Sequence, residues 1–367
     1  MENLVAAREP GVHSKSGGRR RETRVLVTGA DGYIGSVLCA QLMARGYEVG
    51  GLDTGFYQNG WLFHDGCDRP RVVCRDIRRV TPEDLEGYDV IVHLAELSND
   101  PLCEFDEAST YDINYQGSVS LAKTAKAAGV RRFIYSSSCS VYGAAADGEK
   151  TELSEVNPQT AYARCKVLVE QAVSAMSSPE FAPTFLRNAT AFGASPRMRF
   201  DIVLNNLAGL AWTTRCIRMT SDGTPWRPLV HVQDICEAVI ACLEAPLDAV
   251  ANEVFNVGDD GQNYRIREIV DAVAKTFPGC SVEVGSSRGD NRSYRVSFKK
   301  IREHVPNFRC RWSVEDGAEE LRRVFTHIGM TEQIFSAPAF TRLQQLKQLI
   351  ATGQIDTKLY WQSHDLS

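Results

Sequence analysis

The sequence predicts an α/β protein built on a doubly wound parallel sheet, with a smaller α/β region towards the C-terminus. Three observations carry this. Short β-branched runs alternate with helically spaced apolar residues from Arg24 to Arg187. A glycine turn, Thr28-Gly29-Ala30-Asp31-Gly32-Tyr33-Ile34-Gly35, joins the first run to the first helical stretch. A carboxylate, Asp53, closes the second run. Strands and helices in this rhythm form parallel strands linked by crossover helices. Ligands of such sheets lie beyond the carboxyl ends of the strands.

Taken in order, Arg24-Val25-Leu26-Val27 reads as a buried parallel strand. Val37, Leu38, Leu42 and Met43 then recur at helical spacing. Between them Gly29 allows a tight turn, Gly32 lets a pyrophosphate approach the backbone, and Gly35 lets the helix pack closely on the strand. Tyr33 and Ile34 belong to the same turn, where the free N–H groups and dipole of a helix start attract phosphate. Tyr47 to Asp53 is the second strand. Asp53 falls about 20 residues past the turn, where a carboxylate takes the adenosine ribose hydroxyls. A carboxylate there repels a 2′-phosphate, which favours NAD over NADP; a helix cap or a solvated loop acid is the plain alternative. Arg71 to Ile77 is the third strand, with Asp76 and Ile77 flanking the adenine. Asp89 to Ala95 is the fourth. Its end, Leu94-Ala95, is small enough at Ala95 to let a dinucleotide lie against the backbone.

A loop from Glu96 to Pro101 follows, then a long helix carrying Tyr111, Asn114, Gly117, Leu121 and Ala125. Arg132 to Tyr135 is the fifth strand and runs into Ser136-Ser137-Ser138-Cys139-Ser140-Val141-Tyr142-Gly143. Glu96 and Ser138 thus both fall at carboxyl ends. Asn157-Pro158-Gln159-Thr160 caps a helix on which Tyr162 and Lys166 share one face. Thr184 to Arg187 is the sixth strand.

The expected organisation is a disordered basic tail over 1–23, a dinucleotide-binding domain over 24–193, a smaller interleaved substrate domain over 194–330 and a helical extension over 331–367. In that extension Leu343, Leu346, Leu349 and Ile350 form a packing stripe, and nothing there points to chemistry. The chain has 367 residues and a net charge of −5, which gives no reason to expect nucleic-acid binding. No apolar run is long enough to span a bilayer. The tail holds Arg19-Arg20-Arg21 without an apolar core, so it does not read as a secretory signal. The 11 cysteines are scattered with no Cys-x-x-Cys pair. That pattern fits reduced thiols in a cytoplasmic protein and no metal site.

Ser138, Tyr162 and Lys166 form the candidate catalytic set. A tyrosine pKa near 10 is too high for a base at neutral pH. A nearby lysine charge and a positive nicotinamide both favour phenolate. Tyr162 is then fit to take a proton from a substrate hydroxyl while hydride leaves the same carbon. Ser138 hydrogen-bonds that oxygen, and Lys166 also holds the nicotinamide ribose. A half-buried core tyrosine with a surface lysine is the plain alternative.

The Gly-x-x-Gly-x-x-Gly spacing preceded by Thr28 resembles the short-chain dehydrogenase/reductase superfamily. With Asp53, Asp76-Ile77, Asn114, Ser138, Val141-Tyr142-Gly143, Tyr162-x-x-x-Lys166 and Asp234, the chain resembles the extended members that act on nucleotide sugars. The resemblance covers roughly residues 24 to 325. It implies a Rossmann domain, NAD retained through turnover with Asn114 among the cofactor residues, a keto-sugar intermediate, and a homodimer through the helices bearing Asn114 and Tyr162. Dehydratases of this family place Asp-Glu after the active-site Ser or Thr, and decarboxylases keep the Glu; Cys139 and Ser140 stand there instead. An epimerase needs no added acid, so epimerase is the favoured subclass.

Two departures keep other readings open. Glu96 stands where epimerases of this family carry a small residue, and is a candidate eliminating acid or base. Cys139 is a candidate thiol, against its plain reading as a small buried apolar residue. A dehydratase built on Glu96 and Cys139 and a keto-sugar reductase are the alternatives among enzymes. Outside them stands an NAD-binding scaffold or RNA-binding protein, against which the retained Tyr162 and Lys166 count. Arg227 and Arg292 match positions where relatives bind a diphosphate, which suits a planar guanidinium. Ser140, Thr190, Arg197 and Arg199 complete the candidate substrate contacts. The substrate is a nucleotide sugar or a nucleoside.

Overall fold

Seven apolar runs pair into one parallel sheet in the computed structural model, which describes residues 23–98, 100–144, 148–285 and 293–362. Residues 1–22 of the expected tail, and Arg292, lie outside the described residues. The strands are β1 (Arg24–Thr28), β2 (Glu48–Asp53), β3 (Val72–Cys74), β4 (Val90–His93), β5 (Arg132–Ser138), β6 (Ala182–Asn188) and β7 (Glu253–Val257). Their order is β3-β2-β1-β4-β5-β6-β7, and every pairing is parallel. The chain order reverses between β1 and β4, so a crevice opens beyond their carboxyl ends. β7 belongs to the 194–330 stretch, yet it closes one edge of the main sheet.

The pleat alternates side chains between two cores. Val25, Val27, Val90, Val92 and Ile134 face one; Leu26, Ile91, Phe133 and Tyr135 face the other. At the β3 edge Val72 and Val73 are exposed. This strand is shorter than its sequence run because Asp76 accepts a hydrogen bond from the Arg78 N–H at 2.8 Å and starts a 3₁₀ turn at Ile77.

The helices that matter for the site are α1 (Tyr33–Ala44), α2 (Ser118–Ala127), α3 (Ala161–Ser174), α4 (Val232–Glu244), α5 (Val314–Ile328) and α6 (Arg342–Ala351). A π-helical segment, Tyr111–Gly117, leads into α2; such widened turns commonly sit at functional sites. Thr160 caps α3, its Oγ1 accepting from the Ala163 N–H at 3.2 Å. In the 194–330 stretch, Trp226–His231 pairs parallel with Thr190–Phe192 and antiparallel with Asn263–Arg265.

The C-terminal segment packs on the sheet. Leu346 and Leu349 join the cluster that holds Leu52 and Phe56. Gln345 Nε2 donates to the Phe56 carbonyl at 3.1 Å, and Trp361 Nε1 to the Thr54 carbonyl at 2.7 Å. The segment therefore straps the end of β2. The expectation that it bears no chemistry needs correcting, because its first helical residue, Arg342, lines the cleft described next.

No helix of the described residues is long and apolar enough to cross a membrane. No group of three or more His, Cys, Asp or Glu among them is placed to hold a metal. All 11 cysteines are free.

Candidate active site

The cleft starts at the glycine turn. Gly29 has φ +74°, and a Cβ on it would lie 2.9 Å from the Ala95 nitrogen. A Cβ on Gly35 would lie 2.0 Å from the Gly29 carbonyl oxygen. Only glycine lets β1, the turn and α1 meet this closely. α1 begins with no acidic residue in its first turn, so its positive end is left for an anion. Beside it, Asp53 accepts from the Gly55 N–H at 2.9 Å and the Asp31 N–H at 3.1 Å. Burial raises its carboxyl pKa, and the two N–H bonds oppose that rise.

From there a cleft of about 700 Å³ runs past the ends of β4 and β5 to Thr190, Arg227 and Tyr294. Gly29, Gly32, Tyr33, Ile34, Gly35, Asp53, Asp76, Ile77, Leu94 and Ala95 line its first part. Glu96, Ser138, Ser140, Tyr162, Lys166 and Arg199 line the rest. Ser140 Oγ and Asn188 Oδ1, both buried in its wall, have no hydrogen-bond partner among the described residues. The residues fit a dinucleotide: a glycine cradle, a helix start and a ribose-binding carboxylate sit at one switch point.

The catalytic end is a buried ionic network. Lys166 Nζ lies 2.5 Å from Glu96 Oε2, and both side chains are almost fully buried. Lys166 also donates to the Ser136 carbonyl. Glu96 Oε1 accepts from the Tyr135 hydroxyl at 2.6 Å and from Ser118 Oγ at 3.3 Å. Behind these, His93 bridges Ser118 Oγ at 2.8 Å and Thr28 Oγ1 at 2.7 Å. Burial, reinforced by the Lys166 charge, pushes His93 down to about 3, so the ring is neutral. With Ser118 donating to Glu96, the single ring proton belongs on Nε2 and Nδ1 accepts from Thr28.

Lys166 Nζ stands 5.4 Å from the Tyr162 ring centroid and 4.7 Å from that of Tyr135. Burial raises the Tyr162 phenol; the Lys166 charge pulls it down and the Glu96 charge pushes it up. Burial disfavours the Lys166 ammonium, but the charge and hydrogen bond of Glu96 together with the Tyr162 phenol outweigh it and hold the lysine above its ordinary range.

Several expected site residues lie elsewhere. Cys139 is buried, its Sγ donates to the Arg187 carbonyl at 3.1 Å, and burial pushes its thiol up. It is absent from the cleft wall, so it is a packed thiol and not a poised one. Asn114 is also behind the wall. Its side chain accepts from the Leu97 N–H and donates to the Leu97 carbonyl, both at 2.8 Å, which fixes the loop after β4. Arg197 pairs with Asp31, donates to the Tyr57 and Gln58 carbonyls at 2.8 and 2.7 Å, and stacks on Trp61. It clamps the loop after β2 to the glycine turn and is not among the residues that line the cleft. Arg292 lies outside the described residues.

Four residues with roles here escaped the sequence reading. His93 and Tyr135 passed for core members of apolar strands, although a buried histidine in such a run is itself a signal. Asn188 ends β6 as a polar residue in a buried strand. Arg342 is a cation at a helix start, where acids are favoured.

The fold and the cleft together define a class, the enzymes that act on a substrate hydroxyl beside a bound dinucleotide. The family model of the "NAD dependent epimerase/dehydratase family" matches residues 25–258. The chain belongs to that family and its cofactor is NAD. It is 28% identical over 338 residues to the UDP-glucose 4-epimerase of Erwinia amylovora, spanning 82% of this chain and 95% of that one. It is 25% identical over 287 residues to the enzyme of the same name from Bacillus subtilis, spanning 68% and 81%. Among solved structures, the dTDP-glucose 4,6-dehydratase DesIV from Streptomyces venezuelae, with NAD bound, matches with a TM-score of 0.75 at 26% identity. That match covers 85% of this chain and 100% of the dehydratase. The protein is thus an enzyme of the nucleotide-sugar epimerase/dehydratase type.

Proposed function

We propose that the protein is a nucleotide-sugar epimerase that works through a transient keto-sugar. One observation carries the choice over elimination: the two groups an elimination would use are already engaged. Cys139 points at the Arg187 carbonyl, and Glu96 is held by Lys166 and Tyr135.

In this reading Tyr162 takes the proton of the sugar hydroxyl, and the Lys166 ammonium stabilises the phenolate. Ser138, at the end of β5, hydrogen-bonds the same oxygen. NAD, when bound, supplies hydride acceptance and return at the sugar carbon. The unpartnered Ser140 Oγ and Asn188 Oδ1 offer bonds to sugar hydroxyls, and Thr190 and Arg227 hold the nucleotide part. A homodimer through the helices that bear Asn114 (Tyr111–Gly117 continuing into α2) and Tyr162 (α3) belongs to the same proposal; light scattering reads it, and a monomer at all concentrations rejects it.

The test is a panel of nucleotide sugars incubated with the purified protein, with products separated and weighed. An isomer of unchanged mass is expected. Loss of water would mean elimination, and net consumption of NADH would mean a reductase; either result overturns the proposal. Tyr162→Phe should lower turnover by about 10²- to 10⁴-fold while the protein keeps its NAD.

A further inference from the structure

Arg342 opens α6 and is only 4% exposed. Among the described residues its guanidinium makes no hydrogen bond or ion pair; it lies 4.0 Å from the Tyr57 ring and lines the cleft. Its backbone N–H donates to Asp201 Oδ2 at 3.2 Å. That carboxylate is taken by Arg199, whose Nε and Nη2 stand 2.8 and 3.2 Å from its two oxygens. Two guanidiniums therefore share a corner with one carboxylate bound to only one of them. A buried cation without a counter-ion is costly. Burial, and then the Arg199 charge, drives Arg342 down to about 10. An anion from outside the chain would relieve both effects.

The position of the pair narrows that anion. Arg342 stacks on Tyr57 in the loop after β2, and Arg199 Nη1 donates to Ser98 Oγ at 3.1 Å in the loop after β4. The two cations thus stand at the loops after β2 and β4, on the wall of the cleft that also holds Asp53 and Tyr162. In a dinucleotide lying from Asp53 to Tyr162, the charged groups between are its two phosphates. A planar guanidinium meets phosphate oxygens bidentately.

We infer that Arg342, together with Arg199, binds the pyrophosphate of NAD, so that α6 completes the cofactor site from beyond the segment matched to the family. This rests on the family's cofactor and on Asp53 as the ribose end, not on which reaction the sugar undergoes. The diphosphate of a nucleotide sugar carries the same chemistry, and the experiment separates the two.

Cofactor-depleted protein is titrated calorimetrically with ADP, adenosine and UDP. In Arg342→Met, ADP affinity should fall about 10- to 100-fold, the range of a lost charge-assisted bond, while adenosine and UDP change by less than about threefold. Arg342→Lys should lose less, since it keeps the charge and loses the fork. The melting temperature of depleted Arg342→Met should equal or exceed that of the parent, because a buried unpaired charge has gone. Equal losses for ADP and adenosine, a loss confined to UDP, or no change in any of them overturns the inference. A lower melting temperature with unchanged ADP binding in both variants also overturns it, leaving a packing role on Tyr57.

Discussion

Glu96 decides how Lys166 acts on Tyr162. A lysine alone beneath the phenol would lower its pKa; a carboxylate 2.5 Å from that lysine cancels part of the field. Because Glu96 raises the Tyr162 pKa, removing its charge should lower it. The rising limb of the pH–rate profile reports deprotonation of the base. We therefore expect Glu96→Gln to move that limb to lower pH. A limb that stays in place, or moves upward, would mean that Glu96 has no electrostatic hold on the phenol. The sequence exposed Glu96 as an oddity at a strand end but hid its partners. Lys166 reaches it from α3, Tyr135 from β5 and Ser118 from α2. Such contacts across the sheet leave no trace in local spacing, which is also why Arg197 passed for a substrate contact and Cys139 for a thiol in the cleft.

At the scale of elements, the strand–turn–helix at the N-terminus was the most legible part, because each glycine has a steric reason. Gly35→Ala would set a Cβ 2.0 Å from the Gly29 carbonyl. Overpacking of this kind costs about 1–3 kcal/mol and pushes α1 away from β1. We expect a clearly lower melting temperature and loss of co-purifying NAD. Gly46→Ala is the control: no atom lies within 4 Å of its Cβ, so only the strain of φ +83° remains. Equal NAD content in the two variants would argue against the cradle. Less legible were the widened turn at Tyr111–Gly117, whose spacing passes for ordinary helix, and the early end of β3, fixed by the Asp76 cap.

Over the whole molecule, alternation along β1, β4 and β5 gave both cores, since period-2 patterning survives in strands of four or more residues. The small sheets of the 194–330 stretch were hidden, because pairs such as Cys216–Arg218 with Ser281–Glu283 are too short to show any period. One buried group ties global stability to pH. The folded pKa of His93, about 3, lies below its ordinary 6.5, so in that window the unfolded chain binds a proton the native state refuses. Its contribution is complete above 6.5 and is lost as pH falls towards 3. The slope is about 1.4 kcal/mol per pH unit. Urea unfolding of His93→Gln should show a shallower fall than the parent over that interval. Identical slopes would place the acid sensitivity elsewhere.

The strap over the end of β2 joins the last described helix to the first βαβ turns, and this bears on how the enzyme is made. A ribosome releases the glycine turn long before it releases Arg342. A nascent chain can offer the dinucleotide one jaw only; the second arrives when α6 docks on Phe56 and Trp361 reaches Thr54. Tight capture of NAD is then a late event in biogenesis.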